Sequence, residues 1–366
     1  MNNKRKGEFV VKTNSPFRFP VKKVTFVSRN VNNKMNLFEL TKALINIPSI
    51  SENEKEVGFF LRDYLQNLGW TVELQAVSEN QNNVIAYLNE TPRVFFSTHM
   101  DTVPPFIEAS ETDEKIYGRG ACDAKGIIAS EIFAAEQLRR QGVEDIGLLF
   151  TVDEEQGSAG ARAANKHRLA AKCEYLINGE PTDNDLGIGS KGSLRFFIKT
   201  SGKAAHSAYP EQGESAIEKL LDILADVRQI EFPRDEFFGE TTCNIGLLGG
   251  GLKTNIIAPD AEAGMHIRLT TDEKPILEIL EKIINERGHI EISSIALPVK
   301  MLAVEGFRQK VVRFTTDIPH LSNWGTPLLL GAGSILVAHT QNEFVPKTEL
   351  TEAVRLYANL VKKLIG

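Results

Sequence analysis

Arg93-Val94-Phe95-Phe96-Ser97-Thr98-His99-Met100-Asp101 is an apolar run that ends on two side chains able to carry chemistry. The Arg93–Thr98 portion is rich in β-branched and aromatic residues and predicts a strand. Similar short runs at Thr71–Val77, Asn83–Leu88 and Ile146–Val152 predict further strands, and Lys125–Arg140 has helical periodicity. Upstream, Leu37, Leu40, Ala43 and Leu44 recur at helical spacing until Ile47-Pro48 breaks the pattern. Ser51 and Glu54 have capping-box spacing for a second helix through Val57, Phe60, Leu61 and Leu65, stopped at Gly69. Strands alternating with helices predict an α/β fold with a largely parallel, doubly wound sheet. Ligands of such sheets bind beyond the carboxyl ends of the strands, so the residues just after each strand matter most.

The rhythm changes at 191–300. Ser193–Thr200, Thr241–Leu248, Glu262–Thr270 and His289–Ala296 read as strands, with helices at Glu214–Arg228 and Pro275–Glu286. That order, β-α-β-β-α-β, is ferredoxin-like. Pro327–Val337 then reads as another buried strand and Leu350–Leu364 as a closing amphipathic helix. The expected organisation is a catalytic domain of residues 35–190 and 301–366 with a ferredoxin-like α+β domain, 191–300, inserted in it. Residues 1–34 carry nine Lys and Arg (Lys4, Arg5, Lys6, Lys12, Arg18, Lys22, Lys23, Arg29, Lys34) against Glu8 alone, and read as a mobile basic tail.

Composition narrows the function classes. A chain of 366 residues is long enough for two domains, and a net charge of -6 argues against a nucleic-acid partner. Cys122, Cys173 and Cys243 are scattered, form no disulfide or thiolate-zinc pattern and fit a reducing cytoplasm. No apolar stretch is long enough for a membrane span.

The chemistry-bearing residues fall after apolar runs. His99 offers an imidazole, and Asp101, two residues on and on the same face, is placed to fix its tautomer. Alone, the triplet reads as a satisfied core histidine followed by a helix cap. Asp123 sits among Gly118, Gly120 and Gly126 just before the Lys125 helix, as a cap or as a carboxylate bridging two metals. Asp153-Glu154-Glu155 follows the Ile146–Val152 run. Acids so close repel one another in a low-dielectric site unless cations are near, and two such glutamates can divide into a ligand and a base. Glu180 follows Glu174–Asn178, and His339 follows Ile335–Ala338. Together, five such endings place a His, Asp or Glu at one sheet edge, a pattern that packing alone does not require.

His99-Met-Asp-Thr-Val-Pro104, Gly120-Ala-Cys-Asp-Ala-Lys-Gly126, Asp153-Glu-Glu155, Gly179-Glu-Pro181 and Ala338-His-Thr-Gln-Asn-Glu343 resemble the M20 metallopeptidases, over Met35–Gly366 in order. The likeness points to the acetylornithine deacetylase and succinyl-diaminopimelate desuccinylase-like members. It implies a zinc-peptidase-like catalytic domain with two Zn2+: one on His99, Asp123 and Glu180, the other on Asp123, Glu155 and His339. Co2+ or Mn2+ suits the same N/O ligands. It also implies Glu154 as general base, Asp101 as partner of His99, and a cis peptide at Asp123-Ala124. Members of the family are typically homodimers through the inserted domain, with a histidine matching His206 reaching the neighbouring site to contact the oxyanion. Arg268 resembles the substrate-binding arginine; Asn255 and the backbone at Gly331 and Gly333 are further substrate contacts to expect. Lys191 reads as a hinge residue, and His167, His266, His289 and His320 as structural.

The activity expected from this likeness is hydrolysis of a small N-acyl amino acid, a deacetylase step of the kind found in arginine biosynthesis. The alternatives are a dipeptidase or carboxypeptidase on the same scaffold, or a non-catalytic binding protein, against which every ligand and base position is filled.

Overall fold

In the computed structural model, which describes residues 35–366, every residue of Val94–His99 is buried. Val94 and Phe96 enter one apolar cluster and Phe95 the other. Neighbouring strands repeat the division, with Val84 and Ala86 against Ile85 and Tyr87, and Leu148 and Phe150 against Leu149. Both faces of the sheet are therefore covered, and its strands read as continuous apolar runs instead of alternating ones. Expectations for the basic tail fall outside the described residues.

The strands that matter here are β1 (Thr71–Ser78), β2 (Gln81–Tyr87), β3 (Val94–His99), β4 (Ile146–Thr151), β5 (Tyr175–Asn178), β6 (Leu186–Ser190), β7 (Gly192–Ser201), β8 (Thr242–Gly250), β9 (Asp260–Leu269), β10 (His289–Ala296), β11 (Val299–Lys300), β12 (Gln309–Val312) and β13 (Thr326–Leu329). The helices are α1 (Leu37–Ile45), α2 (Lys55–Asn67), α3 (Lys125–Arg139), α4 (Ala159–Ala164), α5 (Ala216–Val227), α6 (Lys274–Ile284) and α7 (Lys347–Ile365). The 9-stranded sheet runs β1-β2-β4-β3-β5-β13-β6-β11, with β12 pairing β6. Its centre, β4-β3-β5-β13, is parallel. Its flanks include antiparallel pairs at β1–β2, β2–β4 and β6–β11, so the sheet is mixed around a parallel core. Helices α1, α2, α3 and α7 cover one face, and α4 with Leu169, Leu321 and Trp324 covers the other.

Strands β7 to β10 form a separate 4-stranded sheet in the order β8-β9-β7-β10, the ferredoxin-like arrangement. Leu194, Phe196 and Ile198 of β7 pack with α5 (Leu220, Ile223) and α6 (Ile276, Leu280) in a cluster of their own. By strand alternation, Ser193, Arg195, Phe197 and Lys199 lie on the helix-free face.

Two local readings are corrected. Ser51 and Glu54 form no capping box; Glu54 is the N-cap of α2 without a side-chain bond, and Ser51 Oγ donates to Asp101 Oδ2 at 2.7 Å. The capping box forms at Asn36 and Glu39, opening α1. The Pro327–Val337 run is a strand only over Thr326–Leu329. Gly333 takes φ +87°, which ends extended structure, and Leu336 is 85% exposed.

Trp324 is fully buried, meets Phe95 edge-on at 4.7 Å and donates its indole N–H to Ala164 O at 3.1 Å. Trp324→Ala is expected to destabilise the protein by roughly 3–5 kcal/mol, read as a lower urea midpoint. An unchanged midpoint would contradict the packing described.

Candidate metal centre

Because β3, β4 and β5 are parallel neighbours, their carboxyl ends open onto one crevice. His99 closes β3, Asp153-Glu154-Glu155 follows β4, and Glu180 follows β5. Asp123 reaches the crevice from the turn before α3, and the Asp123-Ala124 peptide is cis. His339 arrives differently from the expectation. It sits in an irregular loop beyond β13, with φ +63°, a region uncommon for any residue but glycine. Three strand ends and two loops thus build the site.

Two groups of side chains offer ligand atoms within 4.8 Å of one another: His99, Asp123 and Glu180, and Asp123, Glu155 and His339. His99 Nε2 lies 2.9 Å from Asp123 Oδ1, and His339 Nε2 lies 3.2 Å from Asp123 Oδ2 and 2.8 Å from Glu155 Oε1. Asp123 therefore turns one carboxylate oxygen to each group. The donor set of imidazole nitrogen and carboxylate oxygen suits zinc and similar divalent cations. Glu180 Oε1 is buried without any hydrogen-bond partner among the described residues, which a cation would resolve.

Electrostatics point the same way. Burial, and then Glu154, push the Glu180 carboxyl well above its usual range. Burial, followed by the Asp317, Glu155 and Asp101 charges, does the same to Glu154, although His99 opposes it. Glu155 is raised by burial and by Asp123. Asp123 is lowered despite its burial, because both histidines hydrogen-bond to it. The bonds to Asp123 and Glu155 raise His339 to about 10. Acids packed this densely resist ionisation unless positive charge shares the crevice.

Asp101 is fully buried and ties the crevice together. His99 Nδ1 lies 3.0 Å from the Asp101 backbone oxygen and 3.4 Å from its Oδ1, so the backbone carbonyl is the nearer partner of the ring. Asp101 Oδ1 accepts the Glu154 amide at 3.1 Å, and Oδ2 accepts the Glu155 amide at 3.2 Å and the Ser51 hydroxyl. One carboxylate thus holds the backbone that presents both glutamates. Glu154 lines the cleft, and its carboxylate has no hydrogen bond or ion pair among the described residues.

Several supports escape sequence reading. Arg119 and Glu343 form a buried pair at 2.6 Å. Glu343 Oε1 accepts the Cys122 and Asp123 amides, both at 3.3 Å, while Arg119 donates to Thr340 O and His339 O. The pair fastens the Asp123 turn to the His339 loop. Asp317, buried and raised to about 6 chiefly by burial, accepts Thr151 Oγ1 at 2.8 Å. Glu343 ends one quoted motif and Arg119 immediately precedes another, but only folding makes them partners.

The substrate-contact expectations divide. Arg268 lines a cleft of about 250 Å³ beside Asp123, Glu154, Glu155, Glu180 and His339. His206 and Asn255 are not among the residues lining it; His206 is bridged to Ile256 on an exposed turn, and Asn255 O accepts the Ser207 amide. Gly331 and Gly333 do not line it either, and their amides are already taken, by Thr182 Oγ1 at 2.9 Å and Glu349 Oε2 at 2.8 Å. The expected ligand contact gives way to packing. A Cβ on Gly331 would meet Glu180 O at 2.4 Å, so this glycine lets the loop after β13 lie against the backbone of a metal-site residue.

Comparison with known proteins accords with this geometry. Residues 95–363 match the model of peptidase family M20/M25/M40. A peptidase M20 domain-containing protein of Schizosaccharomyces pombe is 40% identical over 338 residues, covering 89% of this chain and 84% of its own. A probable carboxypeptidase of Aspergillus clavatus is 34% identical, covering 93% and 92%. In fold, the chain is similar to an M20 family metallo-carboxypeptidase of Sulfolobus solfataricus (TM-score 0.73, 18% identity, 90% of this chain and 99% of that one). It is also similar to a dinuclear metal-binding M20 peptidase of Bacillus subtilis (TM-score 0.66, 16% identity, 89% and 98%). With a relative of 40% identity along most of both chains and a family model spanning the crevice and its supports, the chain belongs to peptidase family M20/M25/M40 and is a metal-dependent hydrolase.

Proposed function

We propose that this hydrolase is an exopeptidase of the carboxypeptidase or dipeptidase kind, acting on short peptides with two zinc ions. The observation that carries its two-ion chemistry is Asp123, whose two oxygens face two separate ligand groups. His99, Asp123 and Glu180 hold one ion; Asp123, Glu155 and His339 hold the other, and Co2+ or Mn2+ fits the same donors. When bound, such ions supply Lewis acidity that acidifies water and polarises a carbonyl.

The chain's own groups do the rest. Glu154, free of side-chain partners beside both ligand groups, takes the proton of the attacking water at its carboxylate and returns it to the leaving amine. Asp101 keeps His99 in one orientation and holds the Glu154 and Glu155 amides in place. Arg268, half-buried in the cleft wall and bonded to Thr315 Oγ1 at 3.3 Å, presents a guanidinium suited to the substrate carboxylate.

The relatives' names favour this reading over an acetylornithine-type deacylase. The Aspergillus clavatus relative is called a probable carboxypeptidase, and a Saccharomyces cerevisiae di-peptidase shares the fold at TM-score 0.72 with 13% identity. Hydrolysis of a panel of blocked dipeptides, free dipeptides and N-acetyl amino acids, N-acetyl-ornithine included, is expected to show kcat/KM highest on a peptide. A clear preference for an N-acetyl amino acid would return the deacylase reading.

His206 and Asn255 acquire a role if a second copy presents them to this cleft. The edge strand β8 exposes Ile245 (38%), Leu247 (65%) and Leu248 (62%), and α5 exposes Leu221 (47%), an apolar edge unpaired among the described residues and fit for self-association. We therefore assign residues 191–300 to an inserted homodimerising domain that carries His206 to its partner's oxyanion.

Glu154→Gln is expected to lower kcat by about 10²–10⁴-fold while the zinc content stays normal by elemental analysis; loss of metal together with activity would contradict the base role. His206→Ala is expected to be nearly inactive too. Mixing it with Glu154→Gln chains is expected to restore about a quarter of native activity, since half the dimers would hold one complete site. No recovery on mixing would contradict sharing between copies.

A further inference from the structure

The wall of the cleft opposite the acids is the helix-free face of the four-stranded sheet. On it, Arg195 pairs across strands with His266, and Arg268 pairs with Ser193. The two arginines are diagonal neighbours, a placement that sets the residues about 7–8 Å apart with their Cβ atoms somewhat closer. Both line the cleft, together with the neutral Ser193, Ser294 and Thr315. Neither has an acidic partner within ion-pair distance among the described residues. The acids of this face, Glu262 and Glu291, gather at its far end around Lys199.

Two unneutralised guanidiniums side by side are costly, and the surroundings register it. Arg268 falls below its ordinary value through burial and then through Arg195, although Glu154 across the cleft opposes both. His266, 2.8 Å from Ser193 Oγ, drops to about 4 through burial and then both arginines, so it adds no charge and takes none away. The opposite side does not supply the missing anions once loaded. The four acids lining that side, Asp123, Glu154, Glu155 and Glu180, face two divalent cations, so their charges balance and leave no negative excess. The paired cations are aimed at something that enters the cleft.

One guanidinium accounts for the single carboxylate that any C-terminal residue carries. The second requires another anion a few bonds away. We infer that Arg195 and Arg268 form a two-carboxylate subsite, so that the residue released is a dicarboxylic amino acid such as a C-terminal glutamate or aspartate. The inference rests on the hydrolase reading above but not on whether the acyl side is a peptide or a simple acyl group. Arg195 is exposed on the wall while Arg268 is half-buried, so Arg195 meets the side-chain carboxylate and Arg268 the α-carboxylate.

The test is the ratio of kcat/KM for glutamate over its uncharged isostere. With zinc-loaded protein, N-acetyl-alanyl-glutamate is expected to exceed N-acetyl-alanyl-glutamine by roughly 10–100-fold. Arg195→Gln is expected to bring the ratio near one, and Arg195→Glu to shift preference toward N-acetyl-alanyl-lysine, a reversal that a packing role would not produce. N-acetyl-glutamate and N-acetyl-glutamine are run in parallel. If only these are cleaved, the exopeptidase reading fails and the same ratio still decides the subsite. If neither pair is cleaved, calorimetric binding of free glutamate against glutamine decides it. A ratio near one in the wild type, or one unmoved by both Arg195 substitutions, overturns the inference.

Discussion

Like charges forced together at the carboxyl ends of parallel strands are the constraint from which the rest of this molecule follows. Asp101, Asp123, Glu180 and Asp317 are almost wholly buried, and Glu154 and Glu155 are only partly exposed beside them. Without compensation, such a cluster would protonate or fly apart. The structure resolves part of the repulsion with histidines at either end of Asp123. The remainder, including the unpartnered oxygen of Glu180, calls for divalent cations. The crevice is thus a place where folding and metal binding are linked.

Holding that arrangement takes a rigid surround. Asp101 ties the β3 end to the loop after β4, and the Arg119–Glu343 pair ties the turn before α3 to the loop of His339. A buried ion pair of this kind adds little net stability, yet removing one partner costs about 3–5 kcal/mol because the other charge is left alone. Its value here is geometric: Glu343 fixes the Asp123 amide, and Arg119 fixes the carbonyl of His339. Glu54, raised to about 7 mainly by burial, similarly accepts the Asp153 amide at 3.1 Å. Acids that touch no ligand still set where the ligands stand.

How much of this is legible in the sequence depends on the range of the interaction. The parallel core was readable, because strands buried on both faces leave unbroken apolar runs and a chemical group just past each end. Ferredoxin-like order at 191–300 was readable for a different reason: helices cover one face of that sheet, so its strands alternate between buried and open positions. The loop carrying His339 was not: Pro327–Val337 is as apolar as a strand, but Gly331 and Gly333 pack against Glu180 and Cys122, and the chain turns there. Ser51 and Glu54 have capping spacing, yet their oxygens serve Asp101, Gln81 and Asp153 instead. Contacts such as Arg119–Glu343, 224 residues apart, leave no local signature at all. Nor does the diagonal placement of Arg195 and Arg268, which arises only when β7 and β9 lie side by side.

Asp123 is the carboxylate shared between two candidate cation sites, and counting ions per chain tests that sharing most directly. Native mass spectrometry of the zinc-reconstituted protein is predicted to show two ions, with His339→Ala keeping one and Asp123→Ala keeping neither. A wild-type chain that binds no zinc or one ion, or an Asp123→Ala chain that still carries two, would contradict it.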